Sequence, residues 1–167
     1  MRTTRGVALT LLLLSSSLAW GQSPQKLFWI DRSKNKNQVH YDARVGKDGQ
    51  LDPKEPVVAY WILIPGGKRE SLGWVERKKA YGFSITRDKS GQFWRMKLVP
   101  AEDRPIKVYV KDGKARAEMI IGGRAAYLTK LYIDSTEGVV LPTVNYVDLF
   151  GTDVANGAPV RERIVPK

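Results

Sequence analysis

The chain of 167 residues contains no cysteine and only one histidine, His40. The absence of cysteine excludes disulfides, thiolate metal sites, thiol nucleophiles and a lipid-modified N-terminal cysteine. A single imidazole makes a zinc site or a nucleophile–base pair improbable, so we expect no metal and no cofactor. The folded domain must therefore be stabilised by its apolar core.

Common catalytic motifs and long apolar runs are scarce as well. The sequence has no Gly-x-Ser-x-Gly elbow, no His-Glu-x-x-His motif and no Gly-x-x-x-x-Gly-Lys phosphate loop. Beyond residue 21 the longest apolar run is Val57 to Ile64, much shorter than the roughly 18 residues that a membrane-spanning helix needs. We therefore expect no transmembrane segment after the N-terminal region.

The first 21 residues have the pattern of a secretory signal peptide. Arg2 and Arg5 charge the start, Val7 to Leu14 is apolar except for Thr10, and Ala19-Trp20-Gly21 places small residues at the cleavage positions. We predict a signal peptide over residues 1–21 and one exported domain over residues 22–167, in the periplasm or secreted. The length of that domain is sufficient for a single core.

The chain is basic, with a formal net charge of +11 that falls to +9 when Arg2 and Arg5 leave with the signal peptide. Scattered lysines and arginines favour solubility, and they also suit an acidic partner. Outside the cytoplasm such a partner would be anionic lipid, lipopolysaccharide or another anionic polymer, and we expect no nucleic acid. The net charge does not indicate whether the chain is a monomer or an oligomer.

Short segments rich in Val, Ile, Tyr, Phe and Trp recur about every ten residues, which is typical of an all-β domain. Turn pairs such as Asp112-Gly113 join consecutive segments, so Tyr81 to Asp134 predicts an antiparallel meander. We predict a mostly β fold in which this meander closes as a barrel-like domain, with a β-sandwich as the alternative. The ten predicted strands are Leu27 to Asp31, Gln38 to Val45, Pro56 to Ile64, Tyr81 to Arg87, Gln92 to Val99, Ile106 to Lys111, Lys114 to Ile121, Arg124 to Asp134, Thr143 to Phe150 and Val160 to Val165.

Two segments differ from simple alternation. Val57 to Ile64 is apolar on both faces, which predicts a central or covered strand. Arg69 to Ala80 has Leu72, Val75 and Lys79 at helical spacing and predicts a short amphipathic helix. We expect this helix to cover a barrel mouth or a sheet face, with a basic membrane-surface helix as the alternative.

The candidate catalytic residues are few. His40 is the one side chain whose ordinary pKa suits proton transfer near neutral pH. Asp134 with Glu137, or Asp148 with Asp153, is a candidate carboxylate pair for glycan hydrolysis. A mid-strand histidine on a polar face and acids in turns are more typical of structural or solvated groups, so we predict no catalytic residue and keep His40, Asp134 and Glu137 as weak candidates.

Aromatic side chains are the stronger indication of ligand binding. A barrel interior lined by large rings with a few polar tips would suit a lipid or another hydrophobic ligand, and an ordinary packed core is the alternative. The candidate ligand-binding residues are Tyr60, Trp61, Tyr81, Trp94, Tyr109 and Tyr132.

Several segments together carry a family resemblance that spans nearly all of the exported region. They are Leu27 to Asn35, Asn37 to Tyr41, Pro56 to Ile62, Ala80 to Phe83 and Val147 to Asp153. On these segments the chain resembles a bacterial family known as domain of unknown function 4833. The resemblance implies an exported single domain, and it implies no activity and no functional residues.

The leading functional hypothesis is non-enzymatic binding in the cell envelope, with a hydrophobic or anionic ligand or an envelope protein as partner. A carboxylate-dependent hydrolase acting on an envelope glycan or lipid is one alternative, and a structural interaction module is another. An interior void of a few hundred Å³ would favour ligand binding, whereas converging buried carboxylates would favour an enzyme.

Overall fold

A computed structural model describes residues 24–136 and 142–166, so the predicted signal peptide lies outside the described residues. Within these two ranges the chain forms eleven strands and one helix. The elements are β1 Gln25–Arg32, β2 Asn35–Ala43, β3 Val57–Leu63, β4 Lys68–Ser71, α1 Trp74–Lys79, β5 Phe83–Arg87, β6 Trp94–Leu98, β7 Ala101–Lys111, β8 Lys114–Ile121, β9 Arg124–Thr136, β10 Thr143–Asp153 and β11 Pro159–Ile164.

The strands form one sheet in the order β4-β3-β2-β1-β9-β8-β7-β6-β5. Strand β10 pairs with β9 and with β11, which extends the sheet away from this path. The pairing of β1 with β9 is parallel, and the other pairings are antiparallel. The long strand β9 thus pairs with β8 near its start, with β1 in its second half and with β10 along most of its length.

The predicted mostly β fold and the predicted meander are confirmed. Strands β5 to β9 follow one another as antiparallel neighbours, and the sheet curls into a half-barrel. The described residues do not form a closed barrel, because β4 and β5 lie at the two ends of the strand order and do not pair with each other. A half-barrel leaves its concave side accessible from one direction.

Alternation along the strands places the core on the concave side. Phe28 and Ile30 of β1 and Val39 and Tyr41 of β2 are fully buried, and the Phe28 and Tyr41 rings stack with centroids 4.6 Å apart. Strand β3 lies between β2 and β4 and is buried on both faces over most of its length, as its apolar sequence predicts.

The predicted helix over Arg69 to Ala80 is wrong in its first part. Residues Lys68–Ser71 form strand β4, which pairs with β3, so its backbone groups bond to the sheet edge. The helix occupies only Trp74–Lys79, and Gly73 precedes it with extended backbone angles. The Glu76 carboxylate accepts the Gly73 N–H at 2.7 Å, which satisfies a free donor at the helix start.

Candidate functional site

An apolar cavity of about 680 Å³ opens on the concave side of the half-barrel, between β6–β8 and β9–β11. Its volume falls within the range of about 300–1,000 Å³ that is typical of small-molecule sites. The walls are aliphatic, and they include Leu98, Ile106, Leu131, Val147, Leu149 and Ile164. We call this space the concave cavity.

Strand register explains why these side chains meet. Leu131 of β9 pairs with Leu149 of β10, and Val147 of β10 pairs with both Ile133 of β9 and Ile164 of β11. Paired residues project from the same face of a sheet, so an apolar residue at every second position builds a continuous aliphatic wall across three strands.

The rim of the concave cavity is more polar than its walls. Lys79 at the end of α1 and Asp103 of β7 line the cavity and are exposed. Val165 also lines it, although 66% of this residue is exposed to solvent. An apolar ligand could therefore lie inside while a polar end reaches water beside charged groups.

An ion pair between Arg104 and Glu162 lies at one side of the cavity. The Arg104 guanidinium donates to both carboxylate oxygens of Glu162, at 2.9 and 2.7 Å, and to the Ile120 carbonyl at 2.9 Å. The hydrogen bonds from Arg104 hold the pKa of Glu162 below its usual range. This bidentate pair connects β7 to β11, and it provides hydrogen-bond acceptors for the guanidinium of Arg104, which lines the cavity.

The opposite face of β9–β11 carries a second polar cluster. The Asp148 carboxylate is buried beneath Arg161 and Arg163 and accepts three hydrogen bonds from them, at 2.7 to 2.8 Å. Lys130 and Arg161 both lie over the Phe150 ring, at 4.7 and 5.3 Å from its centroid. The cluster fastens β11 to β10 from the side opposite the cavity.

Replacing Asp148 with asparagine is expected to lower the free energy of unfolding at pH 7. It should also make that free energy fall less as the pH is lowered. Hydrogen bonds from Arg163, opposed by burial and supported by Arg161, hold the pKa of Asp148 well below its usual range. A depressed folded-state pKa stabilises the fold above the unfolded value of about 4 and loses that effect as the pH falls toward the folded value. The urea unfolding free energies of wild type and Asp148→Asn should therefore converge between about pH 5 and pH 2.

Glu102→Gln is the matched control for this measurement, since Glu102 is exposed on β7. Its unfolding free energy should follow that of the wild type throughout. A gap between wild type and Asp148→Asn that stays constant with pH would contradict the assignment to the carboxylate charge.

His40 is buried on the sheet face that also carries Tyr60 and Trp29, with ring centroids 5.8 and 6.2 Å away. Its Nε2 lies 2.8 Å from the Gln38 amide oxygen, and the Gln38 amide nitrogen donates to Asp31 at 2.8 Å. Burial lowers the pKa of His40, and the Lys26 charge lowers it further. These contacts place the imidazole on the face opposite the Val39 and Tyr41 side chains.

Asp134, the weak-candidate carboxylate that the structure describes, does not lie beside His40. Asp134 lies on β9 and accepts a hydrogen bond from Asn145 at 2.8 Å, whereas Glu137 lies outside the described residues. In the sheet His40 of β2 pairs with Trp29 of β1, and Trp29 pairs with Lys130 of β9. Lys130 precedes Asp134 by four residues on β9. Four residues of strand span about 13 Å, so His40 and Asp134 are too distant to share a proton. In the described ranges no three His, Asp or Glu side chains are grouped as metal ligands would be.

The six aromatic candidates are distributed over several places. Trp61 and Tyr81 meet edge to face at 5.1 Å, Tyr132 lies 6.2 Å from Tyr146, and Tyr60 lies beside His40. The Tyr109 hydroxyl donates to Glu118 at 2.5 Å. Trp94 is half-buried on β6.

None of these six rings lines the concave cavity. Its aliphatic residues were not predicted as a site, although most of them lie within segments that the sequence predicts to be strands. The pattern predicts which side chains point inward, and it does not distinguish a filled interior from one that contains a void.

Comparison with known proteins places this architecture in a family. Residues 28–163, about four fifths of the chain, match the model described as "Domain of unknown function (DUF4833)". The chain belongs to the DUF4833 family. The matched span of this DUF4833 protein begins in β1 and ends in β11, so it includes the strands that build the concave cavity. No curated protein and no solved structure matches the chain significantly.

The described part of this DUF4833 protein contains no helix that is long and apolar enough to cross a bilayer.

Proposed function

We propose that this protein is a non-enzymatic binding protein of the cell envelope that holds the apolar chain of an amphiphile in the concave cavity. The observation that carries the proposal is an aliphatic cavity of about 680 Å³ with charged groups at its rim. The secretory character of residues 1–21 supports a periplasmic or secreted location.

The aliphatic lining of the cavity favours a hydrocarbon chain. Its aliphatic walls can remove a chain from water at about 0.8 kcal/mol for each buried methylene group. The Arg104 guanidinium on the wall is already paired with Glu162, so it does not require a ligand charge inside. A polar head group would remain at the rim near Lys79 and Asp103.

The contacts of the candidate catalytic residues favour binding over hydrolysis. His40 and Asp134 are engaged in separate hydrogen bonds and lie on different strands. Neither residue lines the concave cavity. Apart from exposed Lys79 and Asp103 at the rim and Arg104 in its ion pair, the residues that line it provide apolar surface rather than an acid and base arranged around a reactive bond.

Filling the concave cavity is expected to weaken ligand binding at least about tenfold, equivalent to 1.4 kcal/mol. The variant is Val147→Trp, because Val147 is a half-buried wall residue of β10 and the larger ring would occupy the ligand volume. Binding is measured by titrating the purified protein with a fluorescent polyene fatty acid, and folding is checked by urea unfolding.

Ile120→Trp is the matched control, since Ile120 is 55% exposed on β8 and does not line the cavity. It should bind the fatty acid as the wild type does. Equal affinity of folded Val147→Trp and wild type, or no binding by the wild type, would overturn the proposed function.

A further inference from the structure

Helix α1 presents two large apolar side chains to water. Trp74 is 71% exposed and Val75 is 56% exposed, although they are consecutive residues at the start of a six-residue helix. No residue of this helix is buried. Indole is amphipathic and is enriched where proteins meet the head-group region of a bilayer.

The same helix carries its positive charges beside these apolar side chains. Arg77, Lys78 and Lys79 occupy its last turn, and the Lys78 ammonium lies 4.9 Å from the Trp74 ring centroid. The Glu76 carboxylate is bound at the sheet side, where it accepts the Trp61 indole N–H at 3.0 Å. The exposed side of α1 therefore combines an indole, a valine and lysines, which suits an anionic lipid surface.

The helix is also continuous with the rim of the concave cavity. Lys79, its last residue, lines the cavity together with exposed Val165. At a rise of about 1.5 Å per residue, Trp74 is only about 7–8 Å from Lys79 along the helix axis. A surface that contacts Trp74 would thus lie close to the cavity rim.

Contacts with the preceding residues and with the sheet hold α1 in this position. The Arg77 side chain donates to the Leu72 carbonyl at 3.0 Å, and Leu72 itself is buried. Glu76 links the helix to Trp61 of β3. The exposed groups of α1 are therefore presented by a fixed helix rather than by a loop that must fold on contact.

From these contacts we propose that α1 docks the protein on an anionic phospholipid bilayer and so brings the concave cavity to membrane lipid. Trp74 and Val75 enter the head-group region, and Lys78 and Lys79 lie beside lipid phosphates. The inference rests on the proposed function for its purpose, because the bilayer is the source of the amphiphile. Docking itself is measured without a ligand in the cavity.

The first test is sedimentation of the purified protein with vesicles of phosphatidylglycerol and phosphatidylcholine, compared with vesicles of phosphatidylcholine alone. The wild type should bind the anionic vesicles more tightly. The double variant Trp74→Ser/Val75→Ser should weaken binding to them at least about tenfold, because it removes the groups that enter the interface. Ile120→Ser, which removes an exposed apolar side chain from β8, should leave binding unchanged.

Lys78→Gln should weaken binding to the anionic vesicles about fivefold, and added salt should reduce the difference. The matched control Lys47→Gln removes an exposed charge outside the helix and should bind as the wild type does. Wild-type protein that does not bind anionic vesicles would overturn the docking proposal. So would binding that depends on Lys78 but not on Trp74 and Val75, since a soluble polyanion rather than a bilayer would then explain it.

The two proposals fail separately in these assays. Trp74 and Val75 do not line the concave cavity, so their double variant should still bind the fluorescent fatty acid. Absent docking with normal fatty acid binding overturns only the docking proposal. Normal docking with no fatty acid binding overturns only the proposed function.

Discussion

Replacing Gly82 with alanine is expected to destabilise the protein by about 3 kcal/mol or more. A Cβ atom at this position would lie 1.6 Å from the Arg77 carbonyl oxygen, which belongs to α1. The neighbouring backbone cannot move away freely. The Gly82 carbonyl accepts the Val99 N–H at 2.9 Å, and the Tyr81 carbonyl accepts the Tyr41 hydroxyl at 2.6 Å.

Urea unfolding measures this effect, and Gly73→Ala is the matched control. A Cβ atom at Gly73 would meet only the flexible Glu76 carboxylate, at 3.3 Å, so we expect a loss of no more than about 1 kcal/mol. Vesicle binding by Gly82→Ala should also fall, because α1 can no longer keep its position. Equal stability of the two variants would show that the contact between Gly82 and α1 is not restrictive.

Replacing Phe28 with alanine is expected to reduce the free energy of unfolding by about 3–5 kcal/mol. Phe28 has no exposed surface, and its ring stacks on Tyr41 at 4.6 Å. It lies on β1, which pairs with β2 on one side and with β9 on the other. A cavity at this point therefore weakens packing where the two parts of the sheet join.

Two further variants are compared with Phe28→Ala in the same unfolding measurement. Tyr41→Phe tests the hydroxyl hydrogen bond of the stacked ring, and Phe93→Ala tests a phenylalanine outside the core. Tyr41→Phe keeps the ring but removes the hydroxyl that donates to the Tyr81 carbonyl, a loss of about 1 kcal/mol. Phe93 is half-buried before β6, so Phe93→Ala should cost less than Phe28→Ala. Similar losses for the two phenylalanines would contradict a core centred on β1.

Many strands were predictable because their signals are local. Alternation over Gln38 to Val45 predicts strand β2 and its buried face, although the structure also buries His40 and Asp42 on the face that the pattern assigns to water. The pair Asp112-Gly113 predicts the turn between β7 and β8. Both residues of that pair adopt positive φ, as such a turn requires. The helix at Arg69 to Ser71 failed because helical spacing competes with pairing to a neighbouring strand, and β3 supplies that strand.

Long-range pairing was not predictable from the same signals. Trp29 of β1 lies beside Lys130 of β9 in a parallel arrangement, although about a hundred residues separate them. No turn motif specifies such a contact, because loop closure over that distance depends on the whole core. This pairing joins strands β1 to β4 and strands β5 to β9 into one sheet.

In the candidate site, too, the local elements were predictable and their arrangement in space was not. Local patterning placed Leu131, Val147 and Leu149 in predicted strands and Trp74 in a predicted amphipathic helix, because periodicity indicates which element a segment forms. Only the curvature of the assembled sheet decided that the inward residues enclose about 680 Å³ and that α1 ends at the rim of this space. Empty volume depends on the distance between strands remote in the chain, whereas periodicity depends on neighbouring residues alone.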